Sequence, residues 1–326
     1  TVGRAKKGQF PESEELTNLD TNEEFLTSMA NAAILNFNWS EIIYWVQKAK
    51  QSEENIRWDY WIARAKIESD DTDDGLSRLK AIADQRHYYG FLAANILNQP
   101  PSLNDASQKT PTFTLPDNLR IRRIKELFAV GDQINARREW YKILAELPEK
   151  EKIDAIYFIS HIGKIPLTIR TANRAGASDH LRIRFPLLYQ QEFRQASLMT
   201  NLPLPFLYSI ARQESAFDAR AVSSANARGL MQLLPTTAKE VARRAGLSSP
   251  SVTSLHQPAL NIKLGSTHLA SLNRRYKGQT PLMIAAYNAG ERRVDRWTKG
   301  KIGQPMDVWI EQIPYKETRN YVKNVM

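Results

Sequence analysis

The 326-residue chain contains no cysteine. That excludes disulfides and thiolate metal sites, and decides nothing about compartment. No apolar run approaches the roughly 20 residues that a membrane-spanning helix needs, so no membrane span is expected. Strand signals are scarce, whereas apolar residues recur at three- and four-residue spacing through most of the chain. The chain does not begin with methionine and shows no leader-like segment, so Thr1 reads as a cut end, from processing or proteolysis. One further absence is local: residues 219–239 hold no aspartate or glutamate.

What is present is an ordinary globular composition, with 42% hydrophobic and 25% charged residues, long enough for two or three domains. The net charge of +10 is unevenly placed. Residues 1–180 carry 24 basic and 26 acidic residues, net −2, while 181–326 carry 21 and 9, net +12. A basic C-terminal part invites an anionic polymer, namely nucleic acid, an acidic glycan or a lipid surface, or else is a solvated basic face. No zinc-finger, RNA-binding or leucine-zipper signature supports nucleic acid, so no nucleic-acid partner is expected.

Residues 1–22 are polar and read as extended. From Asn22 to about Asn98 five short helices are predicted, each with an apolar face: Phe25 to Phe37, a second around Trp39–Val46, a third around Trp58–Ala65, a fourth around Leu76–Ala83 and a fifth around Tyr88–Ile96. Short charged turns and small residues such as Ala63, Ala65, Ala93 and Ala94 suit a helix-pair solenoid, without a strict repeat. Its aromatics, Trp39, Trp45, Trp58 and Trp61, read as core rather than sugar platforms. The run Asp70-Asp71-Thr72-Asp73-Asp74-Gly75 fails as a calcium loop, because Ala81 stands where a bidentate Glu is required. It reads as a charged helix–helix turn.

Residues 98–116, with four prolines, are a linker or irregular crossing. Helices are predicted over 120–130, 134–147 and 149–163, with Gly131 and Pro148 as stop signals, and a shorter segment follows Pro166. From Arg184 a third region carries helices opened by Pro205, Pro235, Pro258 and Pro281. Shorter ones are predicted around Val294–Trp297 and Met306–Gln312, and a last over Tyr315–Val325. The expected fold class is all-α: a scaffold over 1–115, a helical linker domain over 116–183 and a third domain over 184–326.

The chemistry centres on Glu214. It follows the apolar run Phe206, Leu207 and Ile210 at a helix end, where a side chain projects into a cleft. An acid beside apolar groups loses hydration, which favours its protonated form and makes a general acid available near neutral pH. The alternative is an exposed surface Glu. Glycosidases with paired carboxylates need a second acid about 5–10 Å away. Asp218 is poorly spaced for that and residues 219–239 offer none, so the sequence leans toward a single carboxylate, unless Glu291, Asp295 or Glu317 folds in. No metal site is expected: His256 and His268 are isolated.

Glu214-Ser215, Gly229-Leu230-Met231-Gln232 and Ala286-Tyr287-Asn288-Ala289-Gly290 stand in the order and spacing of the three motifs of lytic transglycosylases with a goose-type-lysozyme-like domain. Ile313-Pro314-Tyr315-Lys316-Glu317-Thr318-Arg319-Asn320-Tyr321-Val322-Lys323-Asn324-Val325 is similar to the soluble branch, the large periplasmic murein transglycosylases. So are Trp58-Asp59-Tyr60-Trp61-Ile62-Ala63-Arg64-Ala65 and Arg184-Phe185-Pro186-Leu187. The resemblance spans nearly the whole chain. It implies an α-superhelical N-terminal part, a lysozyme-like catalytic domain, a periplasmic bacterial location, peptidoglycan strands as the partner, a monomer and no cofactor.

It also implies a reaction: cleavage of the β-1,4 bond between N-acetylmuramic acid and N-acetylglucosamine, with formation of 1,6-anhydromuramyl ends. Glu214 would serve as acid and then base, with the substrate's acetamido group as internal nucleophile. Ser223, Gln232, Tyr287 and Glu317 match substrate-contacting positions, and Met231 and Asn288, within the same motifs, are further substrate-binding candidates. Each has a plainer alternative: a turn former for Ser223, core for Met231 and Tyr287, and a surface pair with Arg319 or Lys323 for Glu317. Leu234 and Asp218-Ala219 depart from the family pattern, which leaves the subsite contacts near Leu234 open. A muramidase on the same fold and a non-catalytic peptidoglycan-binding scaffold are the competing functions. The family's ring of helices is longer than residues 1–115 can build, so the chain reads as a fragment of such a protein or a reduced form.

Overall fold

A computed structural model describes residues 2–11, 23–50, 56–106, 119–301 and 303–326. The segment expected to be extended over 1–22 instead forms a short helix at Val2–Ala5, which buries Ala5; residues 12–22, and 107–116 of the proline-rich linker, lie outside the described residues. Among the described residues the protein is all-α. Two isolated β-bridges, Val222–Arg228 and Arg228–Leu233, occur and no strand does. By packing, the chain divides into two compact units: residues 1–104 with 279–324 and 326, and residues 105–278 with 325.

In the first unit, Glu23–Leu35, Trp39–Lys50, Ile56–Glu68, Thr72–Ile82 and Tyr88–Ile96 follow one another, each packed on the next in sequence. That is helix-pair solenoid packing. The apolar positions that set the periodicity are the core: Met29, Ile34, Ile42, Trp45, Trp61 and Ile62 are all buried. Each contributes about 1.5–3 kcal/mol of transfer free energy. Phe25 meets Trp45 edge-on at 6.0 Å. The acidic run 70–75 opens the Thr72–Ile82 helix, with Asp73 and Asp74 in its first turn, where the helix dipole favours negative charge. Lys66 closes the preceding turn on Asp71 at 2.6 Å. Gly75 sits where a Cβ would come within 2.8 Å of the Ala63 carbonyl oxygen, so only glycine lets these two helices approach this closely.

The same unit takes in Thr280–Ala289, Glu291–Thr298, Met306–Glu311 and Lys316–Val325. Val308 is fully buried in the core of the N-terminal helices. Beside it a polar cluster is buried with Glu311, which is 7% exposed. Glu311 accepts from Arg57 at 3.0 Å, from Lys323 at 2.7 Å and from the Tyr89 hydroxyl. Lys323 also donates to the Tyr89 oxygen at 2.6 Å. Next to it, Tyr60 donates to Asp307 at 2.7 Å, and Arg64 reaches the same carboxylate oxygen at 3.4 Å. Burial works against a charge on Glu311, but Arg57 and Lys323 outweigh it and hold its carboxyl below the ordinary range. Burial, reinforced by the charge of Glu311, pushes the Tyr89 phenol well up, so it stays a donor.

In the second unit, Leu119–Ala129 packs on Gln133–Glu146 and Glu149–His161 on Ile165–Arg174. Asp132 caps the second of these helices, accepting from the Asn135 amide at 3.1 Å. Trp140 is fully buried and donates its indole N–H to Thr171 at 2.9 Å. The Pro258–Arg275 helix is flanked by Gln190–Thr200 and by Pro235–Arg244, and Gln190–Thr200 also packs on Leu204–Ser215. The periodicity does not predict Gln190–Thr200, because only Phe193 and Ala196 of it face the core.

Glu311→Ala leaves two cations and a phenol buried without their acceptor. It should lower stability by about 3–5 kcal/mol at pH 7 in urea titration. The native carboxyl titrates below its unfolded range, so its contribution is complete above about pH 4.3 and disappears as pH falls further; the gap between wild type and variant should close in acid.

Candidate active site

Glu214 lies in the last turn of the Leu204–Ser215 helix and is half-buried. The helix ends because Ala216 and Phe217 both turn left-handed, at φ 55° and 63°. Two further non-glycine residues of the following loop, Asn226 and Gln232, share that conformation. Four such residues in seventeen mark a backbone held against its preferences by its surroundings.

The restraints are explicit. The Ser215 hydroxyl is buried and donates to the Leu230 carbonyl at 2.8 Å, while accepting from the Asp218 amide at 3.1 Å. Ala221 and Gly229 are joined by a backbone bond, and Arg228 and Leu233 by a reciprocal pair. Asn261, from the Pro258–Arg275 helix, is 1% exposed. Its oxygen accepts from the Met231 amide at 2.8 Å, and its nitrogen donates to the carbonyls of Arg228 at 3.0 Å and Leu255 at 2.8 Å. Gly229, at φ 76°, lies so close that a Cβ would sit 2.3 Å from the Leu255 carbonyl oxygen. Asn261 is a residue the sequence reasoning missed. A lone amide in an apolar helix face, four residues after the loop-closing Gln257, was its only signal.

Met231 is fully buried, its sulfur beside Gly265. Ser223 is half-buried and its hydroxyl accepts from the Ala227 amide at 3.0 Å, closing a turn. The Gln232 side-chain nitrogen donates to the carbonyls of Gly229 at 3.0 Å and Ala221 at 3.3 Å, which leaves its oxygen as the group available to a ligand. Asp218, the nearest acid in sequence, is engaged by the Arg220 amide at 3.0 Å and lies 3.9 Å from Arg170. The second unit thus brings Glu214, Ser223, Met231 and Gln232 onto one helix end and its loop.

Tyr287, Asn288 and Glu317 belong to the first unit. Tyr287 is half-buried near the end of Thr280–Ala289. The Asn288 oxygen accepts from the buried Thr318 hydroxyl at 2.7 Å. Glu317 is exposed in the first turn of Lys316–Val325. The cations that could have paired with it are committed elsewhere: Arg319 donates to the Ile313 carbonyl at 2.9 Å, and Lys323 to Glu311. Among the described residues no group of three His, Asp or Glu side chains could hold a metal. Burial pulls His268 down to about 4, so it is neutral at physiological pH.

Two family models match in tandem: the soluble lytic murein transglycosylase L domain over residues 114–181, and the transglycosylase SLT domain over 191–310. The chain belongs to the soluble lytic murein transglycosylase family. A Haemophilus influenzae protein named for this family is 34% identical over 293 residues, 88% of this chain and 48% of that protein. The soluble lytic murein transglycosylase of Escherichia coli K12 is 29% identical over 281 residues, 85% of this chain and 43% of its own length. The crystal structure of an inactive Glu-to-Gln mutant of the lytic transglycosylase Slt from Pseudomonas aeruginosa superposes with a TM-score of 0.90 at 31% identity, covering 99% of this chain and 54% of that one. The chain therefore spans about half the length of the transglycosylases it matches.

Asn261→Leu keeps the branched outline of the side chain and strands the Met231 amide and two carbonyls. At about 1–3 kcal/mol for each unpaired group, it should cost about 3 kcal/mol or more in urea titration. The Met231 amide should also lose its protection in hydrogen exchange.

Proposed function

We propose that this chain is the catalytic part of a peptidoglycan lytic transglycosylase, with Glu214 as its single acid and base. Protonated Glu214 gives its proton to the oxygen bridging N-acetylmuramic acid and N-acetylglucosamine, and the bond from that oxygen to the muramyl C1 breaks. The substrate's acetamido oxygen closes on C1 and holds the developing positive charge. The Glu214 carboxylate then takes the proton of the muramyl 6-hydroxyl, and O6 displaces the acetamido oxygen. The product carries a 1,6-anhydro bridge, no water is consumed, and Glu214 ends protonated.

The observation that carries this reading is the isolation of one carboxyl in a preorganised loop. Residues 219–239 contain no acid, and Asp218 is drawn to Arg220 and Arg170. Substrate-assisted enzymes are the exception to the paired-carboxylate rule, and this arrangement suits them. A relative silenced by one Glu-to-Gln change is what a single-carboxyl mechanism leads one to expect. The net charge of +12 over 181–326 suits a glycan whose peptide stems carry carboxylates. In this reading Gln232, Ser223, Tyr287, Asn288 and Glu317 contact the sugar chain, Met231 supports the turn from beneath, and the N-terminal helices are scaffold. The protein works as a monomer in the bacterial periplasm.

Mass spectrometry of purified sacculi digested with the protein should show anhydromuramyl ends. Reducing muramic acid in their place would assign a muramidase. Glu214→Gln should lower the rate of wall solubilisation by at least about a hundredfold, the scale of general acid–base catalysis, with the melting temperature unchanged. Undiminished solubilisation by the variant would remove Glu214 from the chemistry.

A further inference from the structure

The Leu204–Ser215 helix has a second side. Arg212 stands two residues before Glu214, about 200° around the helix axis at 100° per residue. It faces a separate cavity of about 410 Å³ within the second unit, and Glu214 is not among the residues that line it. The volume is within the range of small-molecule sites. The walls are mostly apolar, with Phe185, Leu187, Leu204 and Phe217 among them, and among the described residues the charged ones lining it are Arg194 and Arg212, with no acid.

Arg212 is an unusual cation. Its Nε donates to the Arg184 carbonyl at 2.6 Å, and its guanidinium stands 5.4 Å from the Phe185 ring centre. Among the described residues no carboxylate pairs with it. Burial, with Arg184 beside it, pulls it down to about 10, so at neutral pH it remains charged in a poorly hydrated place. Such a charge is stabilised by an anion that brings its own apolar body. At the mouth, Phe185 and Leu187 are 49% and 64% exposed, a greasy rim open to solvent.

We propose that this cavity binds an amphiphilic carboxylate, a medium-chain fatty acid, with its acyl chain against Leu204 and Phe217 and its carboxylate held by Arg212 and Arg194. Charge complementarity selects this occupant, since an alcohol of equal length leaves the guanidinium unpaired and an alkylammonium is repelled. The inference is independent of the proposed reaction, because the cavity and Glu214 lie on different sides of the helix.

Isothermal titration of the full chain with decanoate, decanol and decyltrimethylammonium tests it. Decanoate should bind saturably at 1:1, with a dissociation constant below ~1 mM, at least tenfold more tightly than decanol, and the ammonium should not bind. Arg212→Gln should weaken decanoate at least tenfold. Because Arg212 also ties the Arg184 carbonyl, Leu187→Asp serves as the second variant: its side chain is exposed, so the fold is retained, and a carboxylate at the rim should repel decanoate by a similar factor. Decanol binding as tightly as decanoate, decanoate unaffected by Leu187→Asp, or no saturable binding below ~1 mM would each overturn the proposal.

Discussion

A carboxylate shut away from water has to bring its counter-charges with it, and in this protein Glu311 sets that condition for the first unit. Its partners come from remote parts of the chain: Arg57 is 254 residues away and Tyr89 is 222 residues away, while Lys323 follows by 12. The net gain from such a cluster over apolar packing is small, but any other docking strands a charge at several kcal/mol. The cluster therefore selects one register of Met306–Glu311 and Lys316–Val325 against Ile56–Glu68 and Tyr88–Ile96. Thr318, on the same helix as Lys323, is fixed by the same choice, and through it so is Asn288. Tyr60 and Arg64, from the resembling stretch 58–65, and Lys323, from the stretch 313–325, thus both take part in the polar clusters around Asp307 and Glu311 within that unit.

The second unit solves a different problem. The loop proposed to be catalytic must hold its shape while offering few polar groups that would compete for the proton. Here the loop after Glu214 spends its polar atoms on itself and on Asn261. Ser215 holds Leu230, Asn261 holds the backbone at Arg228 and Met231, and the Gln232 nitrogen holds Ala221 and Gly229. Left-handed residues at 216, 217, 226 and 232 are tolerated because these bonds over-determine the backbone. The strain is offset locally, within about thirty residues, with no help from a metal-ligand group among the described residues.

How much of this the sequence discloses follows from the range of the forces involved. Helix positions are local, so the apolar spacing of Phe25, Met29 and Ala33, or of Leu260, Leu264 and Leu272, and the first-turn prolines locate most helices to within a few residues. Gln190–Thr200 escaped because two core-facing residues make too weak a pattern. Glu214 and the motifs around Gly229 and Tyr287 were legible as motifs. Asn261 was not, because its value lies in three bonds to backbone groups that have no side-chain signature. The grouping of 279–324 with the N-terminal helices was equally silent, since no periodicity encodes a contact between residues 57 and 311.

These separate constraints bear on the proposal that one carboxyl suffices. A two-acid mechanism needs a second carboxylate held at a fixed distance, and holding it requires cations or donors of its own. In this chain the acids placed with such care do other work: Glu311 and Asp307 fix helices, and Asp218 caps its own turn beside Arg170. In the proposed reaction a nucleophile carried by the substrate removes the requirement, because the acetamido group arrives already bonded to the ring it attacks, at the high effective concentration of an intramolecular group. The protein then has to position one proton carrier and the sugar, which a rigid loop does well. On this view the empty interval between Asp218 and Glu240 is a consequence of the mechanism, since a charge there would have to be either neutralised or kept away from Glu214.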